Sequence, residues 1–209
     1  ILFLVFSSIV NAQLPGYNFS KTLTIHNSQV SGASNHIDFP VLINHIDTDI
    51  RSIGNGGGVE NINGFDIRFT TSDGITLLEH QLEDYDPATG SITAWVKIPS
   101  LNPIIDTEIR MYYGNSSVIV DASVPTVWDA NFQGVWHLNN DEFDATINTN
   151  NLSGSSASNE TNSKIADGER LSFNDRLTSG VQSELQISGD VTVEAWINFN
   201  SIQPGTADN

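Results

Sequence analysis

Four sets of side chains in this sequence have the types and spacing to do chemistry. The first is acidic. In "LEHQLEDYD", residues 78–86, Glu79 and Glu83 fall on one face of a strand. Four residues of strand separate them by roughly 13 Å, while the carboxylate pair of a glycosidase stands ~5–9 Å apart. No Glu-x-Asp-x-Glu run brings two acids to alternate positions. The second set is His26, His36, His45, His80 and His137, with no His-x-His or His-Glu-x-x-His pairing among them. His137 follows Trp136 and faces away from it on a strand, so a hydrogen-bonded structural histidine is the expectation. No Gly-x-Ser-x-Gly elbow and no cysteine supplies a nucleophile.

The third set is oxygen-rich. "NNDEFDATIN", residues 139–148, offers Asp141, Asp144 and Asn148 within one loop. Calcium takes about 6–8 oxygen ligands, and such a loop supplies several together with its carbonyls. Calcium is therefore the metal that this loop would take. The spacing is not that of an EF-hand, and a solvated polar loop is the alternative.

The fourth set is aromatic. In "VTVEAWINF", residues 191–199, alternate positions give one apolar face, and Trp196 lies on the other with Glu194 and Asn198. In "SITAWVKIP", residues 91–99, Trp95 stands in the same way beside Thr93 and Lys97. A tryptophan opposite the core face is either a platform for the C–H face of a sugar or a residue covered from its second side. For Trp95 the second answer is favoured, because the Lys97 stem can lie along the ring. For Trp196 both remain open, and the ligand-binding set it implies is Trp196, Glu194 and Asn198.

These residues are carried by strands. The period of apolar residues is two along most of the chain, with strands expected at 22–27, 37–46, 65–71, 77–85, 92–98 and 108–113. Asp73-Gly74, Pro87 with Gly90, Pro99 with Pro103, and Gly114-Asn115 punctuate them. "GNGGGVENINGFD", residues 54–66, has the composition of a mobile surface loop and lacks the lysine of a phosphate-binding loop. A second set of strands is expected at 134–139, 170–173, 184–187 and 191–199, around a polar excursion at 139–163. The modules meet near 122–129. The organisation is a leader at 1–12, a β-sandwich at 13–124 and a jelly roll begun at 128–209. The fold class is all-β and antiparallel.

Composition bounds the partners. The 209 residues include 25 acidic and 8 basic side chains, a formal net charge of −17. Phosphate backbones and anionic membranes are repelled by such a surface, so no nucleic acid is expected. The opening "ILFLVFSSIVNA" is the apolar core and small-residue end of a secretory leader, cut after Ala12. Its apolar run is too short for a membrane span, which needs roughly 20 residues, and no span is expected in the mature fragment. A cysteine-free exported chain must hold itself together by packing alone.

Two resemblances follow from the motifs. "FPVLI", "FDIRFTTSDGITLLEHQLEDYD", "ITAWVKIPSL" and "EIRMYYGN", in that order, resemble an exported bacterial β-sandwich domain of unknown function over about residues 15–120. "GVWHLNN", "LSFNDR" and "ELQISGDVTVEAWINF" are similar to the opening of a concanavalin A-like, laminin-G-like lectin or glucanase domain over about residues 130–209. That second resemblance implies a two-sheet jelly roll, glycan or protein ligands, and calcium. Together they imply a secreted or cell-surface, non-catalytic protein that binds a glycan or a surface protein. The alternatives are an accessory region of a larger secreted carbohydrate-active enzyme, or a structural spacer.

Overall fold

Alternating sequence and frequent turns give strands of four to eleven residues between Phe19 and Tyr113. The computed structural model describes residues 6–7, 14–155, 158–161 and 163–199. The cleavage expected after Ala12 lies outside the described residues. The fold is all-β with antiparallel pairing, and its helical segments are single three-residue 3-10 turns. One sheet runs β1 (Phe6–Ser7), β2 (Phe19–Ile25), β7 (Thr107–Tyr113) and β4 (Arg68–Thr71). The other runs β3 (His36–Ile46), β6 (Ser91–Leu101) and β5 (His80–Asp86).

The alternation decides what is buried. Leu23, Ile25, Phe69, Ile109, Met111 and Tyr113 from the first sheet join Val41, Ile43, Ile92, Ala94, Val96 and Ile98 from the second in one apolar cluster. Each such side chain removed from water is worth roughly 1.5–3 kcal/mol. The chain reverses between β5 and β6 at Gly90, whose φ is +74°; a Cβ there would lie 2.0 Å from the Asp47 carbonyl oxygen, so only glycine fits. Lys21 occupies a core-facing position of β2, yet its Nζ reaches Asp47 Oδ2 at 2.5 Å and Asp49 Oδ2 at 2.8 Å. It ties the end of β3 to the opposite sheet.

The glycine-rich segment at 54–66 is not the mobile surface loop its composition suggests. Val59 is fully buried, and Asp66, also buried, accepts hydrogen bonds from the backbone N–H groups of Glu60, Asn61, Gly114 and Asn115. Glycines here allow close approach: the amides of Gly57 and Gly58 bond to Ser52 and Asp49 carbonyls. Because Asp66 turns inward to those donors, the strand expected from 65 begins only at Arg68.

The second half differs more. Residues 134–139 form no strand; Trp136 makes an isolated bridge to Asp144. Short ladders join β8 (Ser153–Ser155) to β11 (Arg176–Thr178) and β9 (Ser158–Glu160) to β10 (Gly168–Arg170). The strand expected at 184–187 is absent, and Ser183–Leu185 make a 3-10 turn. The strand expected at 191–199 is also absent: these residues are exposed, with Val193 at 84% and Trp196 at 66%. A strand is defined by its partner, and no described strand lies beside this segment, so alternation has nothing to act on.

Candidate functional site

The outer face of β5 and β6 gathers most of the chemically capable side chains. Alternation puts Glu79, just before β5, and Gln81 and Glu83 of β5 on this face, beside Trp95 and Lys97 of β6. Glu83 sits at a bulge, since the register skips it between Leu82 and Asp84. A bulge re-aims a side chain, and here the Glu83 carboxylate meets the Trp95 indole, whose Nε1–H donates to Oε2 at 2.7 Å.

Residues 125–151 run across this face as a strap. The Trp128 ring packs on Trp95 with centroids 5.0 Å apart, and His137 stacks on Trp95 at 6.1 Å. Trp128 Nε1–H donates to Gln81 Oε1 at 2.8 Å, while Gln81 Nε2 donates to the Ala145 carbonyl at 2.9 Å. His137 places Nδ1 3.2 Å from Glu83 Oε2 and Nε2 3.3 Å from Gln81 Oε1. Asn139 donates its side-chain N–H to the Glu83 carbonyl, and Lys97 Nζ donates to Glu79 Oε2 and to the Thr126 carbonyl. Trp95 is therefore covered from its second side, by Trp128 and His137, while Lys97 bonds along the face rather than capping the ring.

Burial sets the charges. The Glu83 side chain is 2% exposed, and burial pushes its carboxyl up to about 7 against the pull of the Trp95 N–H. Burial pushes His137 down to about 4. Both groups are thus driven toward their neutral forms, so the 3.2 Å approach of His137 Nδ1 to Glu83 Oε2 is a close contact rather than a full ion pair. Glu79, by contrast, is paired with Lys97 and half in solvent. The two acids share a face, as alternation requires, but serve different partners.

The oxygen-rich loop is organised around Asp144. Its carboxylate accepts from Val135 N, Thr146 N, Thr146 Oγ1 and Asn150 N, at 2.9–3.0 Å. Asn148 turns its side-chain N–H2 to the carbonyls of Phe132 and Gln133, and Asp141 caps the Phe143 N–H. Among the described residues, no three His, Cys, Asp or Glu side chains are grouped so that they could hold a metal ion. A calcium ion needs several free oxygens converging on one point. Asp144 spends both carboxylate oxygens on these donors, Asp141 one of its two, and Asn148 turns its N–H2 rather than its oxygen to the backbone.

Trp196 is 66% exposed, with Glu194 and Asn198 exposed beside it in sequence, and Lys164 Nζ lies 5.3 Å from its ring centroid. The ring therefore presents open surface, unlike Trp95. Sequence reasoning missed Gln81 and Trp128, which complete the covered face. Gln81 carries a usable signal, its place midway between Glu79 and Glu83 on one strand face; Trp128 carries none, because it belongs to the strap. No described helix is long and apolar enough to cross a membrane.

Residues 63–151 match a family described as Domain of unknown function (DUF2341). The match begins just before Asp66, takes in β4 to β7 and ends with the strap, so both the Glu83–His137 contact and the Asp144 centre lie inside it. No curated protein and no solved structure matches the chain.

Proposed function

We propose that this chain is an exported, non-catalytic surface module, a β-sandwich followed by a concanavalin A-like region, whose ligand is a glycan seated on Trp196. The observation that carries the reading is the exposed Trp196 ring, with Glu194 and Asn198 as flanking polar side chains and Lys164 as a nearby donor. Sugar rings offer C–H faces to a flat aromatic and hydroxyls that need both donors and acceptors. Contiguous exposed apolar surface marks interaction sites, and Val193, Ile197 and Phe199 are exposed in the same segment as Trp196.

Binding to a glycan array, followed by titration of any hit, tests this. Trp196→Ala should weaken binding by on the order of 1–3 kcal/mol, as for other aromatic anchors, and leave the thermal midpoint nearly unchanged. Unchanged affinity in a folded variant refutes the site. A midpoint that collapses instead means the ring is buried in the working protein. A structural spacer is the second reading, favoured by the covered Trp95, which leaves the outer face of β5 and β6 closed to ligands. Failure of the unaltered protein to bind any glycan would select it.

A further inference from the structure

Three connections between the two sheets fall at one end of the sandwich. Ile25 stands opposite Thr107, Thr71 opposite Ile109 and His36 opposite Leu101, so residues 26–35, 72–79 and 102–106 all leave their strands on that side. Polar groups tie them together. The Asn27 backbone N–H donates to Asp106 Oδ1 and its Nδ2 to the Ile104 carbonyl, both at 2.8 Å, and Asn35 Nδ2 donates to Ser100 Oγ. A shallow cleft of about 190 Å³ brings Asp38 at the start of β3 together with Leu77, Glu79, Lys97 and Pro99.

This end is apolar where connecting loops are ordinarily polar. Ile37, Ile75, Leu77, Ile104 and Ile105 are each between 59% and 74% exposed. Their backbones are fixed all the same. Asn102 Oδ1 accepts from the N–H groups of Ile104 and Ile105, and Asp73 Oδ1 from those of Ile75 and Thr76, in turns built by short polar side chains. Turns held by their own polar groups need no aliphatic contact to keep their shape, so folding does not account for five branched side chains turned to water. Aliphatic surface held out on fixed turns is prepared to be covered, because little freedom remains to be lost on binding.

Charge selects what covers it. Residues 26–40, 72–79 and 101–106 include Asp38, Asp73, Glu79 and Asp106 but no lysine or arginine. All four carboxylate residues are exposed. Lys97, in the cleft beside them, is taken up by Glu79 and the Thr126 carbonyl. A second copy would bring the same acids against these, in a chain of net charge −17, and an anionic bilayer would be repelled likewise. Branched aliphatics, unlike a flat ring, give a sugar no face to stack on. We propose that this end of the sandwich docks a segment of a partner protein that presents aliphatic side chains flanked by lysine or arginine. The surface is separate from Trp196 and does not rest on the glycan reading.

The test titrates the full chain, with labelled isoleucine and leucine methyl groups, against a short capped peptide alternating leucine and lysine and against one alternating serine and lysine. Saturable NMR shifts should be confined to the methyls of Ile37, Ile75, Leu77, Ile104 and Ile105, should weaken with added salt, and should show the leucine peptide about tenfold tighter or more. Ile104→Ser combined with Ile105→Ser should weaken binding about tenfold and leave the unfolding midpoint in place, since both side chains are exposed. Absence of saturable shifts at these methyls overturns the proposal. Equal shifts with both peptides, spread over the acidic surface, mean charge attraction alone and overturn it too. So do methyl shifts that appear with phosphatidylglycerol vesicles but not with the peptide, which assign a lipid surface, or with protein concentration alone, which assign a second copy. Should the double variant fail to fold, the comparison of the two peptides on the unaltered protein still decides.

Discussion

Replacing Asp66 by alanine removes the acceptor of four backbone N–H groups at once. Oδ2 takes those of Glu60 (2.9 Å), Gly114 (2.9 Å) and Asn115 (3.2 Å), and Oδ1 takes that of Asn61 (2.9 Å). Gly114 is buried, so its N–H is stranded and costs roughly 1–3 kcal/mol. Glu60 is exposed, and Asn61 and Asn115 are half-buried, so water recovers part of their loss, leaving about 0.5–1 kcal/mol each. The sum for Asp66→Ala is about 2.5–6 kcal/mol, a large share of the ~5–15 kcal/mol that a domain has to lose. In a chain of this length that lowers the thermal midpoint by about 10 °C. Asp66→Asn can keep an oxygen in the three-donor position and turn its N–H2 only against Asn61, so it should cost about 1–2 kcal/mol. Urea unfolding of the three proteins measures the series. A loss below about 1 kcal/mol for Asp66→Ala refutes the reasoning.

Lys21→Met leaves Asp47 without its cation and should cost about 2 kcal/mol at neutral pH, less than a fully buried pair because Asp49 is half-exposed. Burial alone would raise the Asp47 carboxyl, but the Lys21 hydrogen bond and the Asp49 N–H outweigh it and hold it below its ordinary value. That stabilisation is present above about pH 4 and is lost as the pH falls through the depressed value, so urea midpoints of Lys21→Met should fall less steeply between pH 4 and 2 than those of the unaltered protein. An equally steep acid limb would show that the pair contributes nothing. Asp144→Ala should cost about 3 kcal/mol, loosen residues 128–151 in hydrogen exchange and shift tryptophan emission to the red as Trp128 and Trp95 become wet. Replacing EDTA by millimolar calcium should leave the thermal midpoint of the unaltered protein in place; a rise would show a bound ion despite the engaged donors.

The strands of the first half were legible because period two is a local property. Leu23, Ile25, Ile92, Ala94, Val96 and Ile98 announce their burial by spacing alone, and the structure buries each of them. The shared face of Glu79 and Glu83, and the placing of Trp95 opposite the core, follow from the same rule. Alternation says which side a residue takes, not what waits there. Trp128, Gln81 and His137 are separated by 47 and 56 residues along the chain, and only the path of the strap brings them to one face. Asp66 shows the same limit: its sequence neighbours suggested a loose glycine-rich loop, while its function is to receive amides from a turn 49 residues away. The strand at 191–199 failed for the converse reason. Its residues alternate, but a β-ladder needs two segments, and no described strand pairs with this one. Local periodicity thus determined the strands and their faces, and tertiary structure decided which polar groups were spent on the backbone, because a hydrogen bond depends on position in space rather than on order along the chain.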